Sequence, residues 1–182
     1  MRLNKLTTRY IAREDRMLVS AESDRGILNL WLTQRLLKGL LPHLLGWLES
    51  CSDVEPLSAA TDRQSKAHAP NGDPQGTDSA APHLASQLIA QTRQAPTQVD
   101  AGQASRSVLI QTIHFQPRDI LLRLVFELPD EDAILDLQSE HLRIWLGVLY
   151  AAWQQAAWPD VWPEWMKQAN RMRSQYPVSR MH

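Results

Sequence analysis

The sequence predicts an α+β fold made of two tandem strand-strand-strand-helix units. Each is an antiparallel meander plus a helix; the two long helices pack together, and a long disordered linker joins the units. Three observations predict this. Residues 27–51 (ILNLWLTQRLLKGLLPHLLGWLESC) and 134–158 (ILDLQSEHLRIWLGVLYAAWQQAAW) share one grammar: Ile-Leu-polar-Leu, a hydroxyl residue suited to capping, then an apolar helix with Trp near its end. Each is preceded by stretches in which apolar residues alternate, the period-two mark of a half-buried strand. Between them, residues 52–106 hold five of the eleven prolines and no aromatic residue.

Taken in order, residues 3–11 set Leu6, Thr8 and Tyr10 on one side and Lys5, Thr7 and Arg9 on the other. Residues 16–22 place Met17, Val19 and Ala21 together. Ser23-Asp24-Arg25-Gly26 supplies turn chemistry, Gly26 taking positive φ without steric cost. Residues 27–32 return as a third strand, and Thr33 is placed to accept a hydrogen bond from the first orphan amides of a helix. On that helix Arg35, Lys38, Gly39, Pro42, His43, Gly46, Glu49 and Ser50 recur at three-and-four spacing, and the remainder is apolar. Such a surface is wider than one sheet face requires, so the helix is expected to touch both a sheet and another helix. Pro42 removes one amide donor and is expected to kink or break it.

Residues 1–51 thus form the first unit and 52–106 the linker. Turn-prone runs such as PNGDPQGTDS bury too little apolar surface to offset the entropy of ordering the chain, about 1–2 kcal/mol per residue. Within the linker, residues 83–93 (HLASQLIAQTR) suit a short helix, either transient or a docking motif, since isolated helices of this length are marginal. Deleting residues 56–104 is expected to leave the fold intact. The second unit spans 107–158. Residues 107–115 read as one strand, and residues 120–128 alternate with Ile120, Leu122, Leu124, Phe126 and Leu128 inward. Residues 134–137 complete the meander, and Ser139 is expected to cap the second helix, with Glu140 favourable in its first turn. That helix turns Leu142, Trp145, Leu146, Leu149, Ala152, Trp153 and Ala156 inward and leaves Arg143, Gly147, Tyr150 and Gln154 as an outer stripe. Residues 159–182 hold a short Trp-containing helix, started by Asp160 and Pro163, and a basic tail.

Composition narrows the function classes. A formal charge of -1 supplies no global cationic field for polyanions. The single cysteine, Cys51, excludes an internal disulfide and a multi-Cys zinc site. The six histidines include no pair at ligand spacing with a carboxylate, so no metal or other cofactor is expected. There is no GxSxG and no glycine-rich phosphate loop, and Cys51 sits at a helix C-terminus, where the dipole raises a thiol pKa. No enzyme reading survives. Arg2 and Lys5 are followed by no apolar core of a secretory signal, and the most apolar window is interrupted by Asn29, Gln34, Arg35, Lys38 and His43, which argues against a span. A cytoplasmic protein without a transmembrane segment is expected.

What remains is interaction. Trp158, Trp162 and Trp165 either close the end of a small core or form an exposed aromatic platform for a partner. Gly39, His43 and Gly46 form an edge of the first helix left over from packing. The first expectation is therefore a non-catalytic protein-interaction or assembly subunit, self-associating or binding a protein partner through Leu/Trp-rich helix surfaces. By topology alone, tandem strand-rich units with packed helices resemble the PC4/Whirly type of single-strand-binding fold. This implies a second reading, single-stranded nucleic-acid binding, with no residue carried over from that fold; separately, the outward sheet residues Lys5, Arg9, Arg16 and Arg123, with Trp31, offer the basic and stacking groups that such binding needs together. A weaker third is attachment of the first helix to a membrane surface.

Overall fold

The computed structural model describes residues 1–52, 80–92 and 98–175. Three alternating segments form a meander, β1 (Leu3–Ile11), β2 (Arg16–Ser23) and β3 (Gly26–Leu32), and lead into α1 (Gln34–Ser52). After α2 (Ala80–Thr92) come β4 (Arg106–Leu109), β5 (Ile113–Pro117), β6 (Leu122–Phe126) and β7 (Ala133–Leu137), then α3 (Ser139–Gln155) and α4 (Glu164–Gln175). The chain is α+β, with one sheet ordered β1-β2-β3-β4 and another ordered β5-β6-β7.

Local chemistry explains the first unit. Gly26 takes φ +110°, while the Ser23 hydroxyl donates to the Gly26 carbonyl at 2.7 Å and accepts from the Arg25 amide at 3.2 Å, closing the β2–β3 turn. The Thr33 hydroxyl accepts from the Leu36 amide at 3.2 Å and starts α1. This helix runs unbroken through Pro42. Its division of surface follows the sequence closely: Leu37, Leu41, Leu44 and Leu48 are fully buried, and Arg35, Lys38, Gly39, Pro42, His43, Gly46, Glu49 and Ser50 are all exposed.

Four expectations are corrected. Residues 107–115 are not one strand. β4 pairs in parallel with β3, and after residues 110–112 the chain enters β5, which pairs antiparallel with β6 in the other sheet. The apolar phase slips across this bend, from Val108 and Ile110 to Ile113 and Phe115, so a single straight strand would turn half its apolar residues to water. Ile120 is not inward but 77% exposed, outside the paired part of β6. Ser139 is the first helical residue rather than the cap; Gln138 holds that position without a side-chain bond.

The fourth correction concerns the linker. Residues 53–79 and 93–97 lie outside the described residues, but α2 is a packed helix against α3 and α4 that also touches α1. It packs with inverted polarity: His83, Gln87 and Gln91 are buried and Ile89 is 55% exposed. Its polar stripe meets the stripe of α3 expected to face water. The Gln87 amide donates to the Arg143 carbonyl at 2.9 Å, the Arg143 guanidinium lies 3.3 Å from His83 Nδ1, and Gly147 is buried beneath the two glutamines. A Cβ on Gly147 would stand 3.1 Å from Gln91 Nε2 and 3.4 Å from Gln87 Nε2, so a larger side chain there would crowd the glutamines of α2. Residues 98–105 then cross the outer face of the first sheet. There the Val99 amide donates to Thr7 Oγ1 at 2.8 Å, and Asn29 donates to the Ala101 carbonyl at 3.1 Å. Deleting 56–104 would remove both packed pieces.

One continuous apolar cluster draws on both sheets, α1, α3 and α4. The sheets also meet edge to edge through a parallel bridge between Arg2 and Ile134, where the Ile134 amide donates to the Met1 carbonyl at 2.9 Å. Across the core, Trp145 Nε1 donates to Thr8 Oγ1 at 3.0 Å, both residues being buried. Thr8→Val keeps the shape and orphans that indole N–H; urea denaturation is expected to show a loss of about 1–3 kcal/mol. Gly147→Leu is expected to cost about 1–3 kcal/mol through overpacking and to speed hydrogen exchange in α2 more than in the β1–β2 hairpin.

Candidate functional site

The tryptophans are placed first, because they decide between core and platform. Trp158, Trp162 and Trp165 are 9%, 4% and 5% exposed, so the platform reading is corrected: the indoles close the core end. Trp158 and Trp162 pack edge-to-face on the fully buried Trp153, with ring centroids 4.9 Å and 5.8 Å from its own. Trp153 Nε1 donates to the Pro159 carbonyl at 3.0 Å, holding the chain where it leaves α3. Trp165 stacks on His83 with centroids 5.7 Å apart and lies under the Arg143 guanidinium at 5.8 Å.

Trp158 also reaches the other unit. Its Nε1 donates to Asp15 Oδ1 at 2.8 Å, and the Tyr10 hydroxyl donates to the same oxygen at 2.9 Å. Asp15 occupies the β1–β2 turn at φ +46°. The Trp158 and Tyr10 hydrogen bonds favour the carboxylate and hold its pKa below the usual carboxyl range.

The residues proposed for nucleic acid are only partly brought together. Lys5, Arg9, Arg16 and Trp31 share the outer face of the first sheet, with Leu18 between Arg9 and Trp31 in the register. Arg123 belongs to the other sheet, where Asp136 takes it in a two-point pair at 2.7 and 2.9 Å; this bond to Arg123 lowers the Asp136 pKa. The shared face is not an open platform, which corrects the geometry that reading requires. Glu22 stands opposite Lys5, residues 98–105 cross the Thr7–Ser20–Asn29 row, Ser20 is 1% exposed, and Trp31 Nε1 is engaged by Ser107 Oγ at 2.7 Å. The membrane reading fares similarly, since no leucine of α1 is exposed. No helix among the described residues is long and apolar enough to cross a membrane.

The edge of α1 is different. Gly39 and His43 line a groove of 770 Å³ between the first half of α1 and the β4–β5 bend. Leu36 and Leu40 form one wall, Leu109, Ile110, Ile113 and Phe115 the other, with Thr33, Arg35 and Gln111 at the polar rim. His43 lies 5.7 Å from Phe115, ring centroid to ring centroid. No carboxylate lines the groove. Gly46 continues the same exposed edge one turn beyond His43. The bend wall was not read from the sequence as part of a site; its signal was the phase slip between Ile110 and Ile113. Cys51, at the far end of α1, is half-buried, and burial pushes its thiol pKa up while the nearby Arg143 charge pulls it down. Among the described residues, no three His, Cys, Asp or Glu side chains gather as a metal site requires.

Comparison with protein families, with curated proteins and with solved structures returns no match.

Acid should weaken the fold in a defined window. Asp15, Asp136 and Asp160 all have depressed folded pKa values, Asp160 through Lys167. Their contribution is complete above the unfolded carboxyl value, about 3.9, and is lost as pH falls through the lower folded values. The melting temperature is therefore expected to hold down to about pH 5 and to fall below about pH 4. Asp15→Asn should start lower and decline less steeply; an equally steep decline would remove Asp15 from the account.

Proposed function

We propose that this chain is a non-catalytic interaction or assembly subunit that holds a protein partner along the exposed edge of α1. The observation carrying the proposal is the groove between Gly39–His43 and the Leu109–Phe115 bend. The leucine and tryptophan faces expected to serve as the interaction surface are consumed by the core. The edge and groove are what remain, apolar inside and lined by Arg35 and His43 without an acidic counterpart. A concave apolar site rimmed by a few polar groups is the usual form of a docking pocket. A cytoplasmic setting belongs to the same reading.

Replacing Gly39 by the photo-crosslinker p-benzoylphenylalanine tests this in the producing cell. Irradiation is expected to give a discrete polypeptide adduct from position 39 and none from the same probe at Arg13, exposed on the β1–β2 turn. If position 39 gives no adduct, the proposal fails.

A further inference from the structure

The exposed face of α1 is complementary to itself. Three rows run along it at seven-residue intervals: Arg35–Pro42–Glu49 on one flank, Gly39–Gly46 at the centre, and Leu36–His43–Ser50 on the other. Every member is exposed except Leu36, which is half-buried. A glycine inside a helix costs about 1 kcal/mol relative to alanine, and packing among the described residues requires neither one. A Cβ built on Gly39 or Gly46 meets nothing within 4 Å among the described residues. Among the described residues, no ion pair engages Arg35, Lys38 or Glu49. The face thus carries two helix-weakening glycines and three idle charges, cations toward its start and an anion toward its end.

We propose that the partner is a second copy of this chain, docked two-fold and antiparallel along α1. The inference rests on the reading of α1 as the interaction edge and specifies what occupies it. With the two-fold axis level with the Pro42–His43 peptide, Gly39 faces Gly46 of the second copy, and the paired glycines allow close backbone approach. Arg35 and Glu49 of the second copy then stand on the same flank at heights differing by about 1.5 Å, one residue of helical rise. Lys38 flanks the same carboxylate. The symmetry repeats this pair at the other end, so each cationic end meets an anionic end, and the antiparallel helix dipoles are also favourably opposed. A parallel arrangement would instead stack Arg35 on Arg35. The two His43 rings meet beside the axis, at the mouths of the two grooves. This is an isologous interface, the same patch used on both copies.

Sedimentation velocity of the full chain across low to high micromolar concentrations is the test. Reversible doubling of mass is expected. Gly39→Trp and Gly46→Leu, which grow into open space, should each weaken dimerisation roughly tenfold or more while the circular dichroism spectrum stays unchanged. Arg35→Glu with Lys38→Glu should weaken it as well, and adding Glu49→Lys should restore it, a rescue that a merely structural role would not give. A chain monomeric at every concentration overturns the inference, as does a dimer indifferent to Gly39→Trp. An adduct from position 39 to a different polypeptide would also overturn it, while leaving the proposed function standing.

Discussion

Neither meander can bury its helix alone, and most of the structure follows from that constraint. A three-stranded sheet covers one face of an apolar helix, whereas α1 is buried well beyond one face. The two units therefore share a single core. Polar contacts then fix how they meet: the Met1–Ile134 backbone bond along the sheet edges, Trp145 to Thr8 through the centre, and Trp158 to Asp15 at the turn. Each ties a residue near the start of the chain to one more than a hundred positions later. Apolar burial supplies the drive and has no direction; these bonds supply register.

How much of this was written in the sequence depended on whether each element's pattern was set locally. Period-two alternation located the first meander, and three-and-four spacing named every exposed residue of α1, because both patterns report burial within one element. The misreadings arose where burial is decided by a distant segment. Residues 83–93 read as a transient helix or docking motif in a linker, and Arg143 and Gly147 as an outer stripe; the polar residues His83, Gln87 and Gln91 and that stripe become buried only by meeting each other. Ser20, too, is buried by a distant segment, residues 98–105 crossing its row of the sheet. Half of the groove was legible, the Gly39–His43 edge. The other wall was hidden because its residues change sheets between Ile110 and Ile113, and alternation alone does not announce a bend.

The surface proposed for interaction differs from the one that composition suggested. Leucine and tryptophan abundance suggested apolar faces to spare, and the fold uses them internally. What α1 leaves exposed along its edge is small, polar and sparsely charged, a surface suited to close helix approach rather than broad apolar burial.

The sharing of one core between the two units has a consequence for synthesis. The ribosome finishes β3 about a hundred residues before it reaches the strand that closes the shared core at Ile134, a delay on the order of ten seconds at about 5–20 residues per second. Until α2, β4 and β5 have emerged, the leucines of α1 have only the first meander to cover them. The nascent chain therefore passes through a stage in which its most apolar helix is half-clad, and holding that intermediate apart from its neighbours on the polysome becomes part of making this protein.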